Sequence, residues 1–148
     1  MKIHMRDPAH LDSNTLAHGG KQFIDCAHNV CVLNQTRCST VASSVSVADT
    51  PATRRRGLLG RPVLEQHEGL WIVPCESVHT FGMSYPIDLA YLDRARRVVK
   101  IVESLQPCRL SMCLRAHSVM ELAAGAVRLS GTRIGHQLGI SPLLQEPI

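Results

Sequence analysis

Aromatic side chains are nearly missing from this chain, which has one Trp, two Tyr and two Phe in 148 residues. A core of stacked rings is excluded, and the interior has to be assembled from Val, Leu, Ile, Met and Ala. Lysine is scarce too, present only at Lys2, Lys21 and Lys100, so that 13 of the 16 cations are arginines. That balance favours planar two-point contacts with carboxylates or phosphates over diffuse attraction. The net charge of +4 is an ordinary solubilising excess and argues against nucleic acid as the partner. No apolar run approaches the roughly twenty residues that span a bilayer, and the N-terminus has no secretory apolar segment, so a cytoplasmic location away from the membrane is expected.

With 45% apolar and 19% charged residues, the chain fits one ordinary globular domain rather than a disordered one. Six cysteines (Cys26, Cys31, Cys38, Cys75, Cys108 and Cys113) are expected as free thiols in a reducing compartment. Residues 1–29 carry four of the eight histidines and no sustained period, and read as a loosely ordered lead-in to a single β-rich domain over 30–148. Alternating valines from Val30 to Val47 predict two strands. Asp49-Thr50-Pro51 then supplies a cap and a proline at the first helical position. A short helix from Pro51 to about Arg56 follows, closed by Gly57 and carrying Arg54, Arg55 and Arg56 in its last turn.

Gly69 to Val73 reads as a buried strand stopped by Pro74, and Pro86–Leu92 with Arg97–Val102 as a hairpin around Asp93-Arg94-Ala95-Arg96. Val119–Leu122 and Ala126–Leu129 read as another close pair around Ala124-Gly125. The expected architecture is mostly β, a compact antiparallel β-barrel or sandwich with one or two short helices.

The order of these motifs resembles a known family. Ala48-Asp49-Thr50, Arg54-x-x-Gly57-Leu58-Leu59-x-Arg61, Gly69-Leu70, Pro86-Ile87-Asp88, Val98-Val99 and Glu121-Leu122-x-x-Gly125 are similar to domain of unknown function family 192, over about Val41 to Leu138. The resemblance implies a small, mostly β single-domain protein with no established reaction, and carries the family's positions onto Arg54, Gly57, Arg61, Asp88, Glu121 and Gly125. The chain departs from the pattern where a Trp-Met pair falls on His79-Thr80, and where a late acidic position is His136.

Three groups of residues could carry chemistry. Arg54, Arg55, Arg56 and Arg61 around Gly57 and Gly60 can bind a carboxylate or phosphate, or can pair internally with Asp88 and Glu121, two carboxylates set in apolar surroundings. His79, Phe81 and Tyr85, in the loop containing Gly82, can line a pocket for a flat ligand. Cys75, His79, Cys113 and His117 could form a metal site or a thiol-imidazole dyad, although their spacing is not that of a standard zinc knuckle, and Cys26-x-His28-x-x-Cys31 reads as thiols beside a histidine. The residues favour a non-catalytic binding domain for a small anionic or polyhydroxylated ligand or a protein partner, with no cofactor or metal and an open oligomeric state. A metal- or thiol-dependent enzyme using the Cys/His cluster is the alternative, and a β surface that recognises another protein is a third reading.

Overall fold

The two strands expected among the early valines are β1 (Asn29–Asn34) and β2 (Ser39–Ala48), which pair antiparallel with bulges near Val30 and Val32. A computed structural model describes residues 29–143; apart from Asn29 the lead-in, including Cys26 and His28, lies outside the described residues. Helix α1 (Pro51–Arg56) has the expected bounds. Thr50 accepts from the Thr53 amide in a capping box, and Gly57 ends the helix at φ 51°, a conformation that disfavours a Cβ.

There follow β3 (Glu68–Ile72), β4 (Ser77–His79), β5 (Ile87–Leu92), β6 (Val98–Leu105), β7 (Leu110–Met112), β8 (Ser118–Ala123), α2 (Ala126–Leu129) and β9 (Leu138–Pro142). Seven strands form one sheet in the order β6-β5-β8-β3-β2-β1-β9, while β4 and β7 form a separate ribbon. The β2–β3 pair is parallel because α1 carries the chain across between them; the other pairs in the large sheet are antiparallel. Strand makes up 47% of the described residues, and the large sheet curls into a half-barrel.

The curl is visible in the packing. One core cluster joins Val30 and Val32 of β1 and Leu138 of β9 to Ala90 and Leu92 of β5 and Val98 of β6, elements from both ends of the sheet. Only a sheet folded toward itself brings these together. The ends meet where Leu138 donates its amide to Arg96 O at 3.0 Å and Val98 donates to His136 O at 2.9 Å. A second cluster, with Leu58, Leu70, Ile72, Val78, Ile87, Leu89, Tyr91 and Val119, fills the opposite face beneath α1 and the ribbon. The central strands β5 and β8 are consequently buried at every position.

Ala126–Leu129 forms α2, where the sequence reading paired it as a strand with Val119–Leu122. Gly125 turns the chain at φ 91°, and the Asp88 carboxylate receives the amides of Gly125 and Val127 at 3.0 and 3.1 Å, which holds the first turn in helical form. The short ribbon lies in segments for which the sequence predicts no strand. Buried Thr80 pins it, donating its hydroxyl to Gln106 O at 2.7 Å and accepting the Arg109 amide at 2.9 Å. Thr80→Val, which keeps the shape and deletes the hydroxyl, is expected to lower stability by about 1–2 kcal/mol in urea denaturation, since it orphans the Arg109 amide.

Candidate functional site

Alternation along the sheet separates the two carboxylates. In the β5–β8 ladder Asp88 stands opposite Leu122 and Leu89 opposite Glu121, so neighbouring residues send Asp88 and Glu121 to opposite faces. A pair of carboxylates acting on one substrate is thereby ruled out. Asp88 is fully buried and pairs with backbone amides rather than with arginine: one oxygen accepts from Ser104 at 2.8 Å, the other from Gly125 and Val127.

Glu121 lies on the face covered by α1, between Leu70 and Leu89 on the flanking strands. Its side chain is buried, and Oε2 has no hydrogen-bond partner. That oxygen lies 4.0 Å from where a Cβ on Gly57 would stand, directly beneath the end of the helix. Loss of water favours its neutral form, and the Arg61 charge offsets this only in part, so that the carboxyl is pushed up to about 8.

Above Glu121 is a cleft of about 60 Å³ between α1 and the β3–β4 segment, lined by Arg54, Arg55, Arg56, Cys75 and His79 around the carboxyl. Arg54 braces one side with a 3.3 Å bond to Pro74 O. On the other side Leu59 packs against Gly82, at φ 82°, where any Cβ would stand 3.3 Å from the leucine. Cys75 is half-buried, donates to Ser77 O at 3.1 Å, and has its thiol pushed up by burial. Burial and the nearby Glu121 carboxyl raise the Tyr85 phenol, which donates to Pro62 O at 3.2 Å.

The candidate residues from the sequence therefore divide. Arg54, Arg55, Arg56, His79 and Glu121 meet at this cleft. Arg61 acts on Glu121 through its charge while lining a neighbouring depression with Ser44, Ser46 and Glu68. Tyr85 supports the loop beside the cleft, and Phe81 stacks on His79 at 5.4 Å outside it. Asp88 is across the sheet. Leu58, Leu59 and Met83 join the lining although the sequence marks the two leucines only as part of the family motif and Met83 not at all, because an aliphatic residue carries no mark of facing a cavity.

The Cys/His cluster does not assemble. Cys75 and His79 belong to the α1 cleft, whereas His117 lines a depression with Arg94 and Arg115. Among the described residues no group of three or more His, Cys, Asp or Glu side chains is placed to hold a metal ion. A thiol raised by burial is also a poor nucleophile near neutral pH.

The family model for domain of unknown function 192, described as "Uncharacterized ACR", matches residues 32–140. The chain belongs to this family. Two solved structures share the family member's fold. One is a protein from Sinorhizobium meliloti 1021, provisionally described as a transcription regulator, with 21% identity and a TM-score of 0.67, covering 76% of this chain and 92% of that one. The other is a protein of unknown function from Novosphingobium aromaticivorans DSM 12444, with 20% identity and a TM-score of 0.62, covering 75% of this chain and 83% of that one. At these identities the likeness establishes fold alone. No curated protein matches the chain. No helix among the described residues is long and apolar enough to cross a membrane.

Proposed function

We propose that this family member is a non-catalytic binding domain that takes a small anion, a carboxylate or phosphate, in the cleft between α1 and β4. The observation that carries the reading is the buried Oε2 of Glu121, without a partner at the floor of a cavity rimmed by arginines. A buried polar atom without a partner is costly, and a ligand oxygen that supplies one recovers that cost. At neutral pH the carboxyl is protonated and donates to an anionic oxygen while the guanidinium groups meet its charge. A cytoplasmic location accords with the free cysteines among the described residues, Cys31, Cys38, Cys75, Cys108 and Cys113.

The test is calorimetric titration of the purified chain with acetate and with inorganic phosphate from pH 6.5 to 9.5. Binding requires the protonated carboxyl, so affinity is expected to fall toward tenfold per pH unit above about 8. The other charged or titratable groups around the site are Arg54, Arg55, Arg56 and His79 in the lining, Arg61 beside Glu121, Cys75 and Tyr85, both raised, and Glu68 and Glu76. Glu121→Gln retains an N–H donor without a titrating proton, and is expected to hold affinity level across the range. Arg55→Ala, at the exposed mouth, is expected to weaken binding about twofold to fivefold, as for an exposed ion pair. If neither anion binds at pH 6.5, the proposal fails.

A further inference from the structure

We propose that the anion is the head group of a carboxylate with a linear apolar tail, and that this tail lies across the outer face of the β4–β7 ribbon. The inference rests on the anion-binding reading and narrows its ligand.

The cleft is small. Its volume of about 60 Å³ holds roughly two water molecules, enough for a planar carboxylate while the rest of the ligand stays outside. Immediately outside is the ribbon, where Ser77 pairs with Met112 and His79 with Leu110. Val78 and Ser111 turn inward and are buried, so alternation turns Ser77, His79, Leu110 and Met112 outward. Leu110 is 62% exposed, Met112 52%, and Phe81, stacked on His79, 53%. His79 belongs to both features, lining the cleft and standing opposite Leu110 on the ribbon. A carboxylate seated against Glu121 and the arginines thus has its next atoms directed past this imidazole onto apolar side chains.

Large apolar groups gathered at the mouth of a polar cleft mark a surface to be covered. Of the four side chains that the ribbon turns outward, only the His79 imidazole and the Ser77 hydroxyl can form hydrogen bonds, and the Lys100 ammonium bonded to the ribbon is taken up by Met112 O at 2.8 Å. The amides of a peptide laid there would lose water without finding partners, whereas methylene groups need none. Leu110 and Met112, two residues apart on one strand, give the tail a path on the order of 7 Å.

Titration of the full chain with acetate, butanoate, hexanoate and octanoate at pH 6.5 tests the assignment. Half-burial of each methylene on an open face is expected to tighten binding about twofold per carbon. Leu110→Ser and Met112→Ser, both at exposed positions, are expected to flatten that dependence and leave acetate binding unchanged. Glu121→Leu is expected to weaken octanoate at least tenfold by removing the head-group donor. Acetate binding with no gain along the series overturns the tail while leaving the anion site standing. Failure of acetate and octanoate alike overturns both, and octanoate bound equally well by Glu121→Leu overturns the shared site in favour of nonspecific adsorption.

Discussion

Asp88→Ala is expected to cost about 3–5 kcal/mol, a loss large enough to leave the chain partly unfolded in a protein whose total stability falls in the usual range of about 5–15 kcal/mol. The carboxylate has no exposure to solvent and accepts three amides. Each is an amide that the regular ladder or helix leaves without a backbone partner. Between Ile87↔Leu105 and Leu89↔Val102 the β5–β6 register slips, leaving Ser104 at φ 50° opposite Asp88 with its amide outside the ladder. Gly125 lies in a left-handed turn, and Val127 is in the first turn of α2, where helix amides lack partners within the helix. Alanine would orphan all three at once. Asparagine is expected to rescue only part of the loss, because its one oxygen can serve one side of the site while its amide group faces another donor. Urea denaturation of the three proteins measures this directly, and a loss below about 1 kcal/mol for the alanine variant would refute the account.

Much of the architecture could be read from the chain because local signals agreed with the global fold. The Thr50 cap, Pro51 and Gly57 fixed α1 to the residue, and short β-branched runs broken by Gly and Pro specified most of the large sheet. Where a signal had two solutions, tertiary structure chose. Ala126–Leu129 suits a strand or a helical turn equally, and the deciding contact comes from Asp88, thirty-odd residues earlier in the chain. The β4–β7 ribbon has three residues in each strand, too few for a period to emerge, and depends on the hydroxyl of Thr80. At the site, the arginine-glycine turn and Glu121 stood out as charges in unexpected company. Their separation from Asp88 did not, because the side of the sheet a residue faces depends on which residue of β8 stands opposite it. That register is set by the whole sheet rather than by the residues near Asp88.

Glu121→Gln is expected to stabilise the protein at alkaline pH and to change little in acid. In the unfolded chain the carboxyl ionises near 4.5, and in the folded chain near 8, so between these values the folded state binds more protons than the unfolded state. Folding stability must then decline as pH rises through that window, by up to about 1.4 kcal/mol per pH unit from this group. The contribution is fully present below 4.5 and lost by about 8, where the accumulated difference approaches about 4 kcal/mol as an upper bound. Glutamine has nearly the same shape, offers both a donor and an acceptor, and titrates nowhere in the range, so the variant is expected to lack this slope. In thermal denaturation the two proteins should agree within a few degrees at pH 5, and the variant should melt higher by on the order of 10 °C at pH 8. A saturating carboxylate should oppose the trend in the native protein below pH 8, because it binds the protonated folded form and adds stability by mass action. Parallel melting curves across the range would mean that Glu121 is ionised in the folded state, held there by Arg61. That result would remove the proton donor on which the anion site depends, and would recast the α1 cleft as a buried ion pair belonging to the fold alone.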